Sequence, residues 1–209
     1  MRYGRSFVCF SQIHDIFGKY ITNQKHMVLM ESLKLSLGAL ASDFNLQGSD
    51  GKKYGLRDFA TAKVLVIVFM CNHCPYVQAV WKRLVNLQAK YKEQGVQFVG
   101  INPNKNPEYA EETLEKMAEY YQKYDMNFPY LMDEDQNVAK AYKAQCTPDI
   151  YVYDSERKLA YHGRIDDNWK DETMVTHQEL DPAINDLLAG KKPNLAQIPS
   201  MGCSIKWVN

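Results

Sequence analysis

The stretch that decides the fold spans residues 64–75 and reads Val64-Leu65-Val66-Ile67-Val68-Phe69-Met70-Cys71-Asn72-His73-Cys74-Pro75. Its apolar run is rich in β-branched residues and is typical of a strand buried on both faces. Two cysteines at the exit of such a strand can lie at the start of the next helix, whose N–H groups and dipole stabilise a thiolate. The same spacing lets the two sulfurs close a small disulfide ring. Cys71 and Cys74 are therefore predicted to form a reversible dithiol–disulfide couple.

A Cys-x-x-Cys pair can also be half of a zinc site, or can consist of inert core cysteines. Tetrahedral zinc usually takes four ligands, often from a second Cys-x-x-Cys pair. The sequence has no second pair, and its other cysteines are isolated: Cys9, Cys146 and Cys203. A pair near a βαβ pattern favours redox chemistry over metal binding. We therefore expect neither a metal nor a cofactor.

Composition indicates an ordinary globular protein built on one domain. The chain has 209 residues, of which 45% are hydrophobic and 24% charged. Basic and acidic residues balance at 25 each, so nothing favours a nucleic-acid partner or an anionic membrane surface. No apolar stretch reaches the ~18 residues of a transmembrane helix. Five cysteines are too few for a disulfide-stapled secreted scaffold, so we predict a reducing, cytoplasmic location.

The N-terminal segment, residues 1–37, is expected to be a partly disordered extension of the domain. Arg2 and Arg5 precede an apolar run at residues 7–10, but polar residues end that run too early for a signal peptide. Secretion is therefore the less favoured alternative. Residues 1–30 are either a loosely ordered extension or not part of the natural product.

The remaining patterns predict an α/β domain with a central mixed β-sheet and helices on both faces. Alternation around an Asp-Gly turn predicts an N-terminal hairpin over residues 43–56. Apolar runs predict buried strands at 63–70 and 96–101, a short extended piece at 128–131 and a second hairpin at 150–162. Helical spacing predicts helices over residues 75–94, 107–125, 135–144 and 173–189.

With these patterns in place, the chain resembles thioredoxin-fold proteins. More closely, it resembles their peroxiredoxin-like branch, described as redoxin or alkyl hydroperoxide reductase–thiol-specific antioxidant. The resemblance runs from about residue 38 to 207 and rests on Asp43-Phe44-Asn45-Leu46, Phe69-Met70-Cys71-Asn72-His73-Cys74-Pro75, Cys146-Thr147-Pro148-Asp149 and Gly202-Cys203-Ser204-Ile205-Lys206-Trp207. It implies a thioredoxin-like domain over residues 38–190, with a C-terminal tail, 191–209, packed on it. It also implies that Thr147 and Pro148 form a cis-proline turn that faces the cysteine pair and the substrate.

Two features of related proteins are missing. The buried acid that thioredoxins carry on the strand before the motif is absent, because residues 64–70 are all apolar. The motif also lacks the Pro-x-x-x-Thr-x-x-Cys pattern of peroxiredoxins, in which a threonine hydroxyl positions the peroxide.

The expected mechanism assigns a role to each residue of the motif. Cys71 attacks a substrate disulfide and Cys74 resolves the mixed disulfide. A protonated His73 would stabilise the Cys71 thiolate, unless it is a solvated loop histidine. Cys146 and Cys203 are candidate accessory thiols, and a purely structural role is the alternative for each.

Three functions fit these expectations. The favoured one is a thiol-disulfide oxidoreductase that acts on a protein or small-molecule disulfide. A thiol electron donor then reduces the enzyme again. A thiol-dependent peroxidase is the second. A non-catalytic redox-sensing module is the third.

Overall fold

The structure is a computed structural model that describes residues 28–194 and 196–208. Its strands are β1 Leu29–Glu31, β2 Asn45–Gly48, β3 Lys53–Gly55, β4 Val64–Phe69, β5 Val96–Asn102, β6 Tyr130–Met132, β7 Cys146–Thr147, β8 Asp149–Tyr153, β9 Leu159–Gly163 and β10 Met201–Ser204. Its α-helices are α1 Pro75–Tyr91, α2 Leu114–Lys123, α3 Asn137–Tyr142 and α4 Leu180–Leu188. Residues 1–27 of the predicted extension lie outside the described residues, so the expected disorder stays a prediction.

Seven strands form a mixed central sheet in the order β3-β2-β6-β5-β4-β8-β9. Strands β4, β5 and β6 run parallel, whereas β8 and β9 continue the sheet antiparallel on one side. The β2–β3 hairpin extends it on the other side and turns through Gly51, whose positive φ of 82° suits glycine. The predicted mixed sheet with an N-terminal hairpin is confirmed.

Strand β4 is buried on both faces, as its unbroken apolar run predicted. Val66 and Val68 pack in one core cluster together with side chains of α1, α2 and α4. Ile67 and Phe69 point the other way and pack in a second cluster with side chains of α3 and the hairpin. Burying a side chain of this size contributes about 1.5–3 kcal/mol, so β4 holds the cysteines that follow it in a rigid frame.

Helix α1 begins directly after the cysteine pair. Cys74 is its N-cap residue in an extended conformation, and Pro75 occupies the first turn, where no N–H partner is needed. Trp81 is fully buried on its inner face. The helix ends at Tyr91, and a 3-10 turn leads to Gly95 with a φ of 92°. The helix predicted here is confirmed.

Two other helices begin later than predicted. Helix α2 starts at Leu114 instead of residue 107, because the preceding loop turns the Glu112 carboxylate to the backbone N–H groups of the cysteine motif. Helix α4 starts at Leu180 instead of residue 173, because Asp166 and Gln178 form a β-bridge just before it. No helix among the described residues has the length and apolar surface that a bilayer crossing requires.

A second sheet of three strands joins the two ends of the described chain in the order β1-β10-β7. Strand β10 belongs to the predicted C-terminal tail and pairs antiparallel with both neighbours. In this register Cys203 lies opposite Thr147. The tail therefore reaches the cysteine pair, while the domain boundaries at residues 37 and 190 stay predictions.

Candidate redox site

Both cysteines of the pair lie between β4 and α1 without exposed surface. Strand β4 ends at Phe69, and Cys74 caps α1. Cys71 and Cys74 are each 0% exposed. The predicted place at the helix start is thus occupied by Cys74, whereas Cys71 lies three residues earlier in the connecting loop.

The turn at Thr147 and Pro148 faces the pair from β7. The peptide bond between these two residues is cis, as the resemblance implied. The Sγ atom of Cys71 lies 3.3 Å from Oγ1 of Thr147. The Cys74 thiol donates to the carbonyl oxygen of Thr147 at 3.1 Å. Four residues that the sequence placed in one site are therefore neighbours, and a substrate-facing role of the turn stays a prediction.

Cys203 lies directly beside the pair. Its Sγ is 3.0 Å from Sγ of Cys74, and the residue is 1% exposed. Gly202 permits this approach, because a Cβ at that position would collide with the carbonyl group of Thr147. Cys203, a candidate accessory thiol from its sequence, thus lies at the site.

Cys146 lies on the same strand as Thr147 but makes different contacts. Its thiol is directed at two backbone carbonyl oxygens, that of Pro148 at 3.6 Å and that of Ser200 at 3.8 Å. Burial raises the pKa of this thiol far above its usual value. These contacts favour the structural alternative for Cys146.

His73 is bound to a buried carboxylate that the sequence analysis did not identify. Its Nδ1 lies 2.5 Å from Oε1 of Glu112, and its backbone N–H donates to the same oxygen at 2.9 Å. The imidazole stacks on Tyr109 with ring centroids 4.8 Å apart, and 15% of its side chain is exposed. His73 is therefore a partly covered partner of an acid and not a fully solvated loop histidine.

Glu112 organises the loop that carries the two cysteines. Its Oε2 accepts hydrogen bonds from the backbone N–H of Asn72 at 3.2 Å and from Nδ2 of Asn102 at 2.6 Å. The Asn72 side chain is held in turn by the Tyr130 hydroxyl, which donates to it at 2.9 Å. A buried acid beside the cysteine loop thus comes from the loop before α2, whereas β4 carries none. Nothing in the local sequence distinguishes Glu112 from its exposed neighbour Glu111.

The two thiols of the pair differ in acidity. Burial raises the pKa of Cys71 well above its usual value, and the charge of Glu112 adds to this. Burial also opposes ionisation of Cys74, but hydrogen bonds from Cys203 and Cys71 outweigh it and lower the Cys74 pKa. The direction for Cys71 is opposite to the one expected from the sequence, because the thiol is fully buried and lies near the negative charge of Glu112.

Cys71, His73 and Glu112 also form a potential metal-binding cluster, since one ligand atom from each lies within 4.8 Å of the others. Both carboxylate oxygens of Glu112, however, already accept two N–H hydrogen bonds each. A metal ion would have to displace this network. The hydrogen bonds explain the cluster without an ion.

A sequence profile of the AhpC/TSA family matches residues 37–162, a span that includes the cysteine pair, Glu112 and the cis-proline turn. The chain belongs to the AhpC/TSA family. Among relatives of this AhpC/TSA protein, the thiol-disulfide oxidoreductase ResA of Bacillus thuringiensis is 26% identical over 126 residues, which are 60% of this chain and 68% of ResA. The bcp protein of Helicobacter pylori, whose name places it with the peroxiredoxins, is 28% identical over 111 residues, 53% of this chain and 68% of its own.

Solved structures confirm the predicted fold of this AhpC/TSA protein. A hypothetical protein of Sinorhizobium meliloti, 40% identical, aligns with a TM-score of 0.82 over 85% of this chain and 98% of its own. The thioredoxin domain of a Bacteroides vulgatus thiol-disulfide oxidoreductase aligns with a TM-score of 0.53 at 17% identity, over 62% of this chain and 89% of its own. The chain is a thioredoxin-fold protein of a family of thiol-based oxidoreductases.

Proposed function

We propose that the chain is a thiol-disulfide oxidoreductase whose redox couple is the Cys-x-x-Cys pair, Cys71 and Cys74. The observation that carries the proposal is that both sulfurs contact one residue, Thr147, at 3.3 and 3.1 Å, directly before the cis peptide bond. The name of ResA, a thiol-disulfide oxidoreductase, supports the same reaction type.

The reaction begins when the Cys71 thiol loses its proton. The Cys71 thiolate attacks a substrate disulfide, forms a mixed disulfide and releases one substrate sulfur as a thiolate, which takes up a proton. Cys74 then loses its proton and attacks Sγ of Cys71, which releases the second substrate sulfur. The substrate gains two electrons, and the protein is left with a Cys71–Cys74 disulfide. A thiol electron donor reverses these steps on the protein.

Substrate access requires a local movement, because neither sulfur of the pair has exposed surface. A cavity beside Pro148 has both apolar and charged lining: its side chains include Val80, Ile150, Trp169 and Met201, and also Glu31, Arg164, Asp166 and Asp167. A substrate segment that carries both apolar and polar side chains suits this lining. A protein disulfide flanked by such residues is therefore the favoured partner, and neither a nucleic acid nor a membrane is proposed as one.

The proposal is tested by reduction of insulin disulfides with wild type and single variants. Cys71→Ser abolishes turnover, and Cys74→Ser accumulates a mixed disulfide with insulin because the resolving thiol is absent. Cys146→Ser serves as the matched control and keeps wild-type turnover, since its thiol contacts only backbone carbonyl oxygens among the described groups. Equal trapping by the Cys71 and Cys74 variants would contradict the assigned roles.

A thiol-dependent peroxidase is the second candidate, favoured by the Thr147 hydroxyl beside Cys71. In that reaction the Cys71 thiolate attacks a peroxide oxygen, the O–O bond breaks, and an alcohol or water leaves after taking a proton. Cys74 then displaces water from the sulfenic acid on Cys71, giving the same disulfide. Peroxide consumption coupled to a dithiol donor, measured beside insulin reduction, separates the two activities.

The cytoplasmic location stays a prediction.

A further inference from the structure

We propose that Cys203 is a third redox thiol, which can replace Cys71 as the disulfide partner of Cys74. The site would then have two oxidised forms, a Cys71–Cys74 disulfide and a Cys74–Cys203 disulfide. This inference rests on the proposed function, because it requires that the Cys71–Cys74 pair is oxidised first.

The position of Cys203 carries the inference. Its sulfur lies 3.0 Å from that of Cys74, so the two atoms already touch before any movement. Both residues are buried, at 1% and 0% exposed, so an external thiol does not compete easily for the same sulfur. The chain separation is 129 residues, so the contact is made by the fold and not by local chain geometry.

Strand β10, which carries Cys203, is paired with a neighbouring strand on each side. Strand β10 pairs with β7 through Cys203 and Thr147, and with β1 through Cys203 and Leu29. The close approach at Gly202 presses the strand against the carbonyl group of Thr147. Cys203 therefore reaches Cys74 from the side of the cis-proline turn.

The exchange needs no external oxidant or reductant once the first disulfide exists. Cys203 loses its proton, and its sulfur attacks Sγ of Cys74. The Cys74–Cys203 bond forms while the Cys71–Cys74 bond breaks, and Cys71 leaves as a thiolate that takes up the proton. The number of disulfides is unchanged. Cys71 becomes free to react again, and β10 is tethered to the start of α1.

The exchange is tested by peptide mapping of the full chain after equilibration with mixtures of reduced and oxidised glutathione. Samples are quenched in acid, alkylated and digested without reduction. Cys71 and Cys74 fall within one tryptic peptide, residues 64–82, whereas Cys203 lies on the peptide that ends at Lys206. The first disulfide is therefore a loop within one peptide, and the second is a cross-link between two.

The expected result is a cross-linked peptide pair in wild type and in Cys71→Ser, and its loss in Cys203→Ser and in the Cys71→Ser/Cys203→Ser double variant. Cys146→Ser, the matched control, keeps the wild-type pattern. The inference is overturned if Cys74 of the Cys71→Ser variant carries only glutathione while Cys203 is alkylated, or if wild type shows no cross-link at any glutathione ratio. Absence of the looped peptide from Cys203→Ser would instead contradict the proposed function, so the two failures are distinguishable.

Discussion

The carboxylate of Glu112 binds His73 twice, through the backbone N–H at 2.9 Å and through Nδ1 of the ring at 2.5 Å. Glu112 is 2% exposed and reaches the cysteine loop from a segment 39 residues further along the chain. Burial of a carboxylate is costly unless hydrogen bonds compensate for the lost water, so these contacts hold Glu112 in place. It sets both the shape of the loop and the field in which Cys71 ionises.

Replacement of Glu112 by glutamine is expected to lower the pKa of Cys71 and to destabilise the fold. The negative charge of Glu112 raises the Cys71 pKa, so a neutral side chain removes that effect. The amide nitrogen of glutamine would also face N–H groups that now donate to the carboxylate, and it cannot accept their hydrogen bonds. This mismatch costs about 1–3 kcal/mol of folding free energy. Thiolate absorbance against pH measures the first effect and urea denaturation the second. Glu111→Gln, at the exposed neighbour, is the control and changes neither; an unchanged Cys71 pKa in Glu112→Gln would rule out the electrostatic role.

Replacement of His73 by alanine is expected to act in the opposite direction. A protonated imidazole offsets the charge of Glu112, and its loss leaves the carboxylate uncompensated beside Cys71. The Cys71 pKa then rises, because the nearby negative charge opposes formation of the thiolate. Thiolate absorbance against pH measures the shift. If the Cys71 pKa stays at its wild-type value, His73 takes no part in activating Cys71.

Removal of the Thr147 hydroxyl is expected to raise the pKa of Cys71 further, because the hydrogen bond at 3.3 Å favours the thiolate. Thr147→Val keeps the shape and loses about 0.5–1.5 kcal/mol of hydrogen bonding. Thr147→Ser retains the hydroxyl and is the matched control. Thiolate titration of both variants gives the result, and identical titrations would show that the contact does not act on Cys71.

Replacement of Gly202 by alanine is expected to push β10 away from β7. The added Cβ collides with the Thr147 carbonyl group, and overpacking of this kind costs about 1–3 kcal/mol. Cys74 and Cys203 then react faster with an alkylating reagent than in wild type. Ser204→Ala, on the same strand, is the control with wild-type rates. Equal alkylation rates in wild type and Gly202→Ala would show that β10 does not cover the site.

Local chain patterns were sufficient for the frame of the molecule. The unbroken apolar run of β4, the helical spacing after Pro75 and the turn at Gly51 each depend on neighbours within a few residues. These patterns led to the mixed sheet, the N-terminal hairpin and the cysteine pair at the start of α1. The family resemblance added the cis-proline turn.

The tertiary structure alone decided the environment of the sulfurs. Glu112 reaches the pair from a loop and Cys203 from the short strand β10, and neither segment carries a periodic sequence signal. The contacts of Glu112 explain the late start of α2 and, together with burial, the reversed direction of the Cys71 pKa, and the bridge between Asp166 and Gln178 explains the late start of α4. Secondary structure follows from the chain's nearest neighbours, but acidity follows from burial and charge. Those depend on which distant segments the fold brings within a few ångströms of the thiol.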